Sequence, residues 1–165
     1  MEIKRIVRHL LLTRWNVNTA FPPRTLHAIE KAIQASHRAH VGQVRFAVEG
    51  ALQIDELLTD TSARERAIDV FSQLRVWDTE HNNGVLIYLL LADRDVEIVA
   101  DRGVHAQVHA AEWETICQSM EENFRLGNYE AGVLHGVEQV SELLKRHFPA
   151  QQERQSELPS KPAVL

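Results

Sequence analysis

Three short stretches carry the residue types suited to holding an ion: Gly42-Gln43, Asn82-Asn83-Gly84 and Asp101-Arg102-Gly103. Amide and carboxylate oxygens are the ligands that hard cations such as calcium take, and Asp78 or Glu80 in the preceding loop would add negative charge. Asn83, Asp101 and Asp78 are therefore the candidate metal ligands. The same residues are also the common vocabulary of tight turns. Both readings stand at this point, because the three stretches form a site only if the strands beside them run in particular directions. A second set, Glu49-Gly50 with Asp93-Arg94-Asp95, competes with the first, since open α/β sheets usually take ligands at the carboxyl ends of their parallel strands.

Other chemistry is thinly represented. His105 and His109 are four apart with Glu112 one turn further on, a spacing that would ligate zinc from one helix face, but the glutamate of the protease motif is missing. His37 and His40 make no stronger case. Cys117 sits in an apolar helical stripe with no basic neighbour, which reads as a structural thiol rather than a nucleophile. The chain has no phosphate-binding loop, dinucleotide fingerprint, nucleophile elbow or paired-cysteine zinc motif.

The elements that must position these residues follow from periodicity. Residues 84 to 91 are almost wholly apolar, as in a strand covered on both faces, whereas 95 to 101 alternates with only Val99 out of pattern. The Asp93-Arg94 turn lacks the glycine of a tight hairpin, which predicts a wider loop. Val44, Phe46 and Val48 mark a strand over 43–49. Ile54, Leu57 and Leu58 suggest one or two helical turns, and Asp60-Thr61-Ser62 offers caps for a longer helix bearing Ala63, Ala67, Val70, Phe71 and Leu74. A helix between the 43–49 and 84–91 strands makes them parallel, and the 95–101 strand returns antiparallel. The three oxygen-bearing stretches then converge at one edge of the sheet.

Further helices are predicted over 23–40, about 110–125 and from Asn128 to near Pro149. Gly132 and Gly136 in the last imply close packing on a neighbour, since each otherwise costs about 1 kcal/mol against alanine. The chain therefore reads as α/β, a single compact domain with a small mixed sheet, a parallel pair plus an antiparallel hairpin strand, sandwiched between helices. Residues 1–14 form an amphipathic helix whose apolar stripe Ile3, Ile6, Val7, Leu10 and Leu11 is expected to dock on the domain's own core, with a membrane surface as the alternative. Residues 150–165 read as a flexible tail.

At 165 residues with 44% hydrophobic content the chain can bury one core. A net charge of -5 offers no footprint for nucleic acid. The lone cysteine suits a reducing compartment, so a cytoplasmic location is expected, at most peripheral to a membrane. The Leu10–Leu12 run is too short for a signal peptide or a transmembrane segment.

The run Asn83-Gly84-Val85-Leu86, then Ala92-Asp93-Arg94-x-Val96-x-Ile98-x-x-Asp101-Arg102-Gly103, then Phe124-x-x-Gly127-x-Tyr129-x-x-Gly132-x-x-x-Gly136, resembles the TPM domain over about residues 23–148. That family is named for a thylakoid lumen protein, a photosystem II repair protein and a modulator of an acetylcholine receptor. The resemblance implies a small mixed sheet between helices, binding of Ca2+ or another divalent cation, and, from the plant member, acid phosphatase activity. Many relatives carry Gly-Glu where this chain has Gly42-Gln43, which removes one negative charge from the implied site and lowers its expected metal affinity. Two functions follow as expectations: a binding or accessory domain engaging an unknown, membrane-associated protein partner, or a metal-assisted phosphomonoesterase in which Asp101 holds the cation and Arg102 stabilises charge.

Overall fold

The computed structural model describes residues 3–12, 14–150 and 156–165. Its elements are α1 (Ile3–Leu11), α2 (Arg14–Ala20), α3 (Pro23–Ser36), β1 (Gln43–Glu49), α4 (Ile54–Leu58), α5 (Ala63–Gln73), β2 (Gly84–Leu90), β3 (Asp95–Ala100), α6 (Arg102–His105), α7 (Ala110–Arg125), α8 (Tyr129–His147) and β4 (Ala163–Val164). The described strands form one sheet in the order β3-β2-β1-β4. β1 and β2 are parallel, Gln43 beside Gly84 and Glu49 beside Leu90. β3 runs back antiparallel, Val85 opposite Ala100.

Strand alternation splits the core in two. Val44, Phe46, Val48, Val85, Ile87, Leu89, Val96 and Ile98 face α3, α7 and α8, where Ile29, Met120, Phe124 and Val140 meet them. Ala47, Leu86, Tyr88, Leu90 and Val99 face α5 and α4. Val99 breaks the alternation of β3 because α5 covers the second face as well, so this hairpin strand is enclosed on both sides. Gly132 and Gly136 let α8 press onto α7: an added Cβ would lie 2.6 Å from the Phe124 ring and 2.3 Å from the Met120 sulfur. Ser62 caps α5 through a reciprocal box with Glu65, which supports a helix start three residues before its first buried turn closes.

Three expectations are corrected. α1 turns Arg5 and His9 inward and leaves Ile3, Val7, Leu10 and Leu11 of the stripe exposed, while Ile6 packs against the core as expected, because the partly buried Asp93 carboxylate draws Arg5, Arg8 and His9 toward it. Residues 156–165 are not a free tail: Leu158 is buried and β4 pairs in parallel with β1, Ala163 beside Ala47. Residues 151–155 lie outside the described residues. His105 and His109 do not share a helix, since α6 ends at His105 and His109 is the N-cap of α7, its N–H donating to Glu112 at 3.3 Å. The zinc spacing is therefore broken by a helix boundary.

Candidate functional site

At the amino end of the parallel pair the three oxygen-bearing stretches do meet. Gln43 N–H donates to Asn83 O (2.9 Å), Asp101 N–H to Gly84 O (2.8 Å) and Gly103 N–H to Asn82 O (3.0 Å). The backbones converge, but the side chains diverge. Asn83 shares the Val85 face and donates through Nδ2 to Val41 O at 2.7 Å, whereas Asp101 continues the Val99 face and caps α6, its Oδ1 accepting from Arg102 N–H at 2.7 Å. Gln43 Oε1 accepts from Ser156 Oγ, Glu157 N–H and Leu158 N–H, so the C-terminal segment occupies the position where a ligand would sit. Asp78 is held by Arg75 at 2.7 Å, and Arg102 Nε donates to Asn82 Oδ1 at 3.1 Å. Two buried oxygens there, Asn83 Oδ1 and Asp101 Oδ2, have no hydrogen-bond partner. Among the described residues no group of three or more His, Cys, Asp or Glu side chains is placed to hold an ion. Asn83, Asp101 and Asp78 thus each bond to a separate neighbour rather than to one another.

His37 and His40 pack near this end, their rings 6.1 Å apart. His40 is 2% exposed with both ring nitrogens unpartnered, and burial, reinforced by His37, pulls its pKa down to about 4. A base whose folded pKa lies below its unfolded value stabilises the fold above the unfolded value, and that contribution is lost as pH falls from about 6.5 through about 4. Wild type is expected to lose ~2 kcal/mol more than His40→Leu over that interval. Urea titrations of both proteins at the two ends of the interval check it; parallel losses would refute it.

The carboxyl end of the sheet is open. Glu49 there is closed off as a structural clamp, but beyond the β2–β3 turn lies a cleft of about 990 Å³. Its walls come from α1 and α2 on one side and from the first turns of α3 and α8 on the other, with Leu91–Arg94 as the floor. That turn spans four residues, as its missing glycine predicts, and Arg94 takes a positive φ of 53° to close it. Gly50 is small because α2 crosses it: an added Cβ would meet Val17 at 2.9 Å. Asp93 accepts from Arg5 Nε at 2.9 Å and Arg8 Nη2 at 2.6 Å, with His9 Nε2 at 3.1 Å. Burial works to raise the Asp93 pKa, but the bonds from Arg5 and His9 outweigh it and hold the carboxyl below its ordinary range.

The second carboxylate of the cleft is also committed, since Thr25 Oγ1 donates to Glu130 and ties the first turn of α3 to that of α8. Arg24 and Arg94 line the cleft, are exposed and form no ion pair with a described residue. The Asn128 side chain makes no capping bond to α8, so the positive end of a 19-residue helix also borders the space. Paired carboxylates, free guanidiniums and a helix N-terminus together leave this cleft electropositive within a protein of net charge -5. Arg24, Thr25, Asn128 and Glu130 were not legible as site residues; the only sequence signal was the Phe124–Gly136 pattern, which surrounds the α7–α8 turn.

Asp95, grouped with Asp93 by sequence, lies instead in a separate groove of about 560 Å³ between β3 and α7. Burial, then Glu121 and Glu97, pushes its pKa up to about 6. Cys117 lines the same groove, and burial next to these carboxylates pushes its thiol up to about 12, the reverse of what a nucleophile needs.

A family model described as the TPM domain, under a phosphatase label, matches residues 18–143. Among solved structures, the chain is similar to the BA42 protein from the psychrophilic bacterium Bizionia argentinensis, with 29% identity over 86% of this chain and 92% of that one and a TM-score of 0.74. It is also similar in fold to the N-terminal domain of a protein from P. gingivalis, with 19% identity, 81% and 82% coverage and a TM-score of 0.63. No protein of curated function matches the chain.

Proposed function

This chain belongs to the TPM domain family, and from that membership we propose that it is a binding and accessory domain whose ligand site is the carboxyl-end cleft, taking a phosphate-class anion borne by a membrane-associated partner. The observation that carries the reading is the charge state of the cleft: its carboxylates are already bonded, while Arg24 and Arg94 are not. Guanidiniums recognise phosphate by charge-assisted, often paired hydrogen bonds. The position of the cleft also agrees with the general rule that open α/β sheets bind beyond the carboxyl ends of parallel strands. Binding is preferred over turnover because Thr25, a hydroxyl of the cleft wall next to Arg24 in the chain, is buried and already donates to Glu130.

Titration with inorganic phosphate, followed through backbone amide shifts, is expected to move the amides of residues 91–94 and 127–131. Arg24→Gln/Arg94→Gln should weaken binding at least about tenfold, the loss of a charge-assisted contact. Shifts confined to residues 82–84 and 101–103, or an affinity unchanged in the double variant, would move the site elsewhere.

A second reading is a cation-dependent phosphomonoesterase working from the amino end, and the unpartnered Asn83 Oδ1 and Asp101 Oδ2 favour it. Hydrolysis of p-nitrophenyl phosphate that requires added calcium or magnesium and disappears in Asp101→Asn would put it first.

A further inference from the structure

α1 packs Ile6 against the core and presents the rest of its apolar side to solvent. Ile3, Val7, Leu10 and Leu11 are 75%, 47%, 58% and 72% exposed, on a helix about 13 Å long. The opposite side is anchored: Arg5 donates to Asp93 and to Thr61 O at 2.9 Å, Arg8 donates to Asp93, and His9 Nδ1 accepts from Leu52 N–H at 3.0 Å. Rotating the helix to bury the stripe would strip Asp93 of these partners and leave a partly buried carboxylate unpaired, a cost that offsets the apolar burial it would recover. The bonds to Asp93 thus hold the apolar side outward.

An outward stripe of this kind marks a contact surface, and the charges around it indicate the occupant. Lys4 and Arg8 are exposed beside the stripe, and the free Arg24 and Arg94 lie at the cleft that α1 borders. Two copies pairing through the stripe would bring these positive flanks together, whereas an anionic bilayer neutralises them while accepting the apolar side chains. No helix among the described residues is long and apolar enough to cross a membrane, so the contact would be a surface one.

We propose that α1 lies along an anionic lipid surface, with Ile3, Val7, Leu10 and Leu11 entering the acyl boundary and Lys4 meeting the headgroups. The inference deepens the membrane side of the function proposed above and does not require the cleft to be occupied. It places the cleft mouth next to the bilayer.

The test is co-sedimentation of the full chain with vesicles of phosphatidylcholine alone or mixed with phosphatidylglycerol. Binding is expected only to the mixed vesicles and to fall with added salt. Val7→Ser/Leu10→Ser, changed at exposed positions that the fold tolerates, should reduce partitioning at least about tenfold. A tryptophan introduced by Leu11→Trp should be quenched by brominated acyl chains. Equal partitioning of wild type and the double variant, or an unquenched tryptophan, overturns the proposal, as does a dimer that the double variant dissolves. Lost lipid binding with intact phosphate shifts would sink this inference alone; lost phosphate shifts with intact lipid binding would sink only the cleft.

Discussion

Replacing Glu49 with alanine is expected to cost about 4 kcal/mol and to lower the melting temperature by roughly 10 °C. Glu49 is 5% exposed at the end of β1. It accepts two parallel bonds from Arg66, each 2.8 Å, and a third from the Tyr88 hydroxyl at 2.7 Å. Arg66 belongs to α5 and also approaches Glu56 of α4 at 3.3 Å, so one carboxylate ties two helices to two strands. The bond from Glu49, then burial working against it, leaves the Arg66 pKa raised, and burial beside Glu49 raises that of Tyr88. Truncation would leave a guanidinium and a phenol buried without their acceptor, which costs far more than the pair itself contributes. Glu49→Leu/Arg66→Leu should therefore recover most of the loss, because a buried ion pair can be exchanged for apolar volume at little cost. Thermal and urea denaturation of the single and double variants check both statements. A Glu49→Ala protein within ~1 kcal/mol of wild type would show that water replaces the carboxylate.

Gly84→Ala is expected to cost about 3 kcal/mol, from overpacking rather than from backbone conformation. A Cβ at Gly84 would lie 2.0 Å from the Val76 carbonyl oxygen and 3.0 Å from its carbon. Val76 is fully buried and its N–H donates to Phe71 O at 3.0 Å, so that carbonyl cannot simply swing away. Gly84 in turn is fixed by its pairing with Gln43 and by accepting from Asp101 N–H. Gly127→Ala supplies the contrast, since Gly127 has a φ of 79° and nothing within 4 Å of an added Cβ. Its cost should be only the left-handed backbone penalty, about 1 kcal/mol. Equal losses at the two positions, measured by urea denaturation, would refute the steric account.

These two positions show how residues read as site chemistry can have structural roles. The Asn83-Gly84 pair and Gly103 are informative in sequence because they are unusual, and the fold needs them for close approach of backbone: a Cβ at Gly103 would be 2.5 Å from Asn82 O. The convergence of Gln43, Asn83 and Asp101 followed correctly from the helix between two strands, which forces a parallel pair. What did not follow was the face each side chain takes, or that residues 156–158 would occupy Gln43 Oε1. The second outcome depends on partners more than a hundred residues away in the chain.

β1, β2 and β3, the α7 and α8 stripes and the parallel and antiparallel pairing of those three strands were determined by the sequence alone, because periods of two and 3.6 are local properties of neighbouring residues. The direction α1 faces and the end of the sheet that stays open were decided only in the tertiary structure. A hydrophobic stripe specifies that a helix has two sides but not which one the domain keeps. Here the partly buried Asp93 carboxylate, some 85 residues further along, settles it by bonding Arg5 and Arg8, since a carboxylate left unpaired there costs more than an exposed leucine.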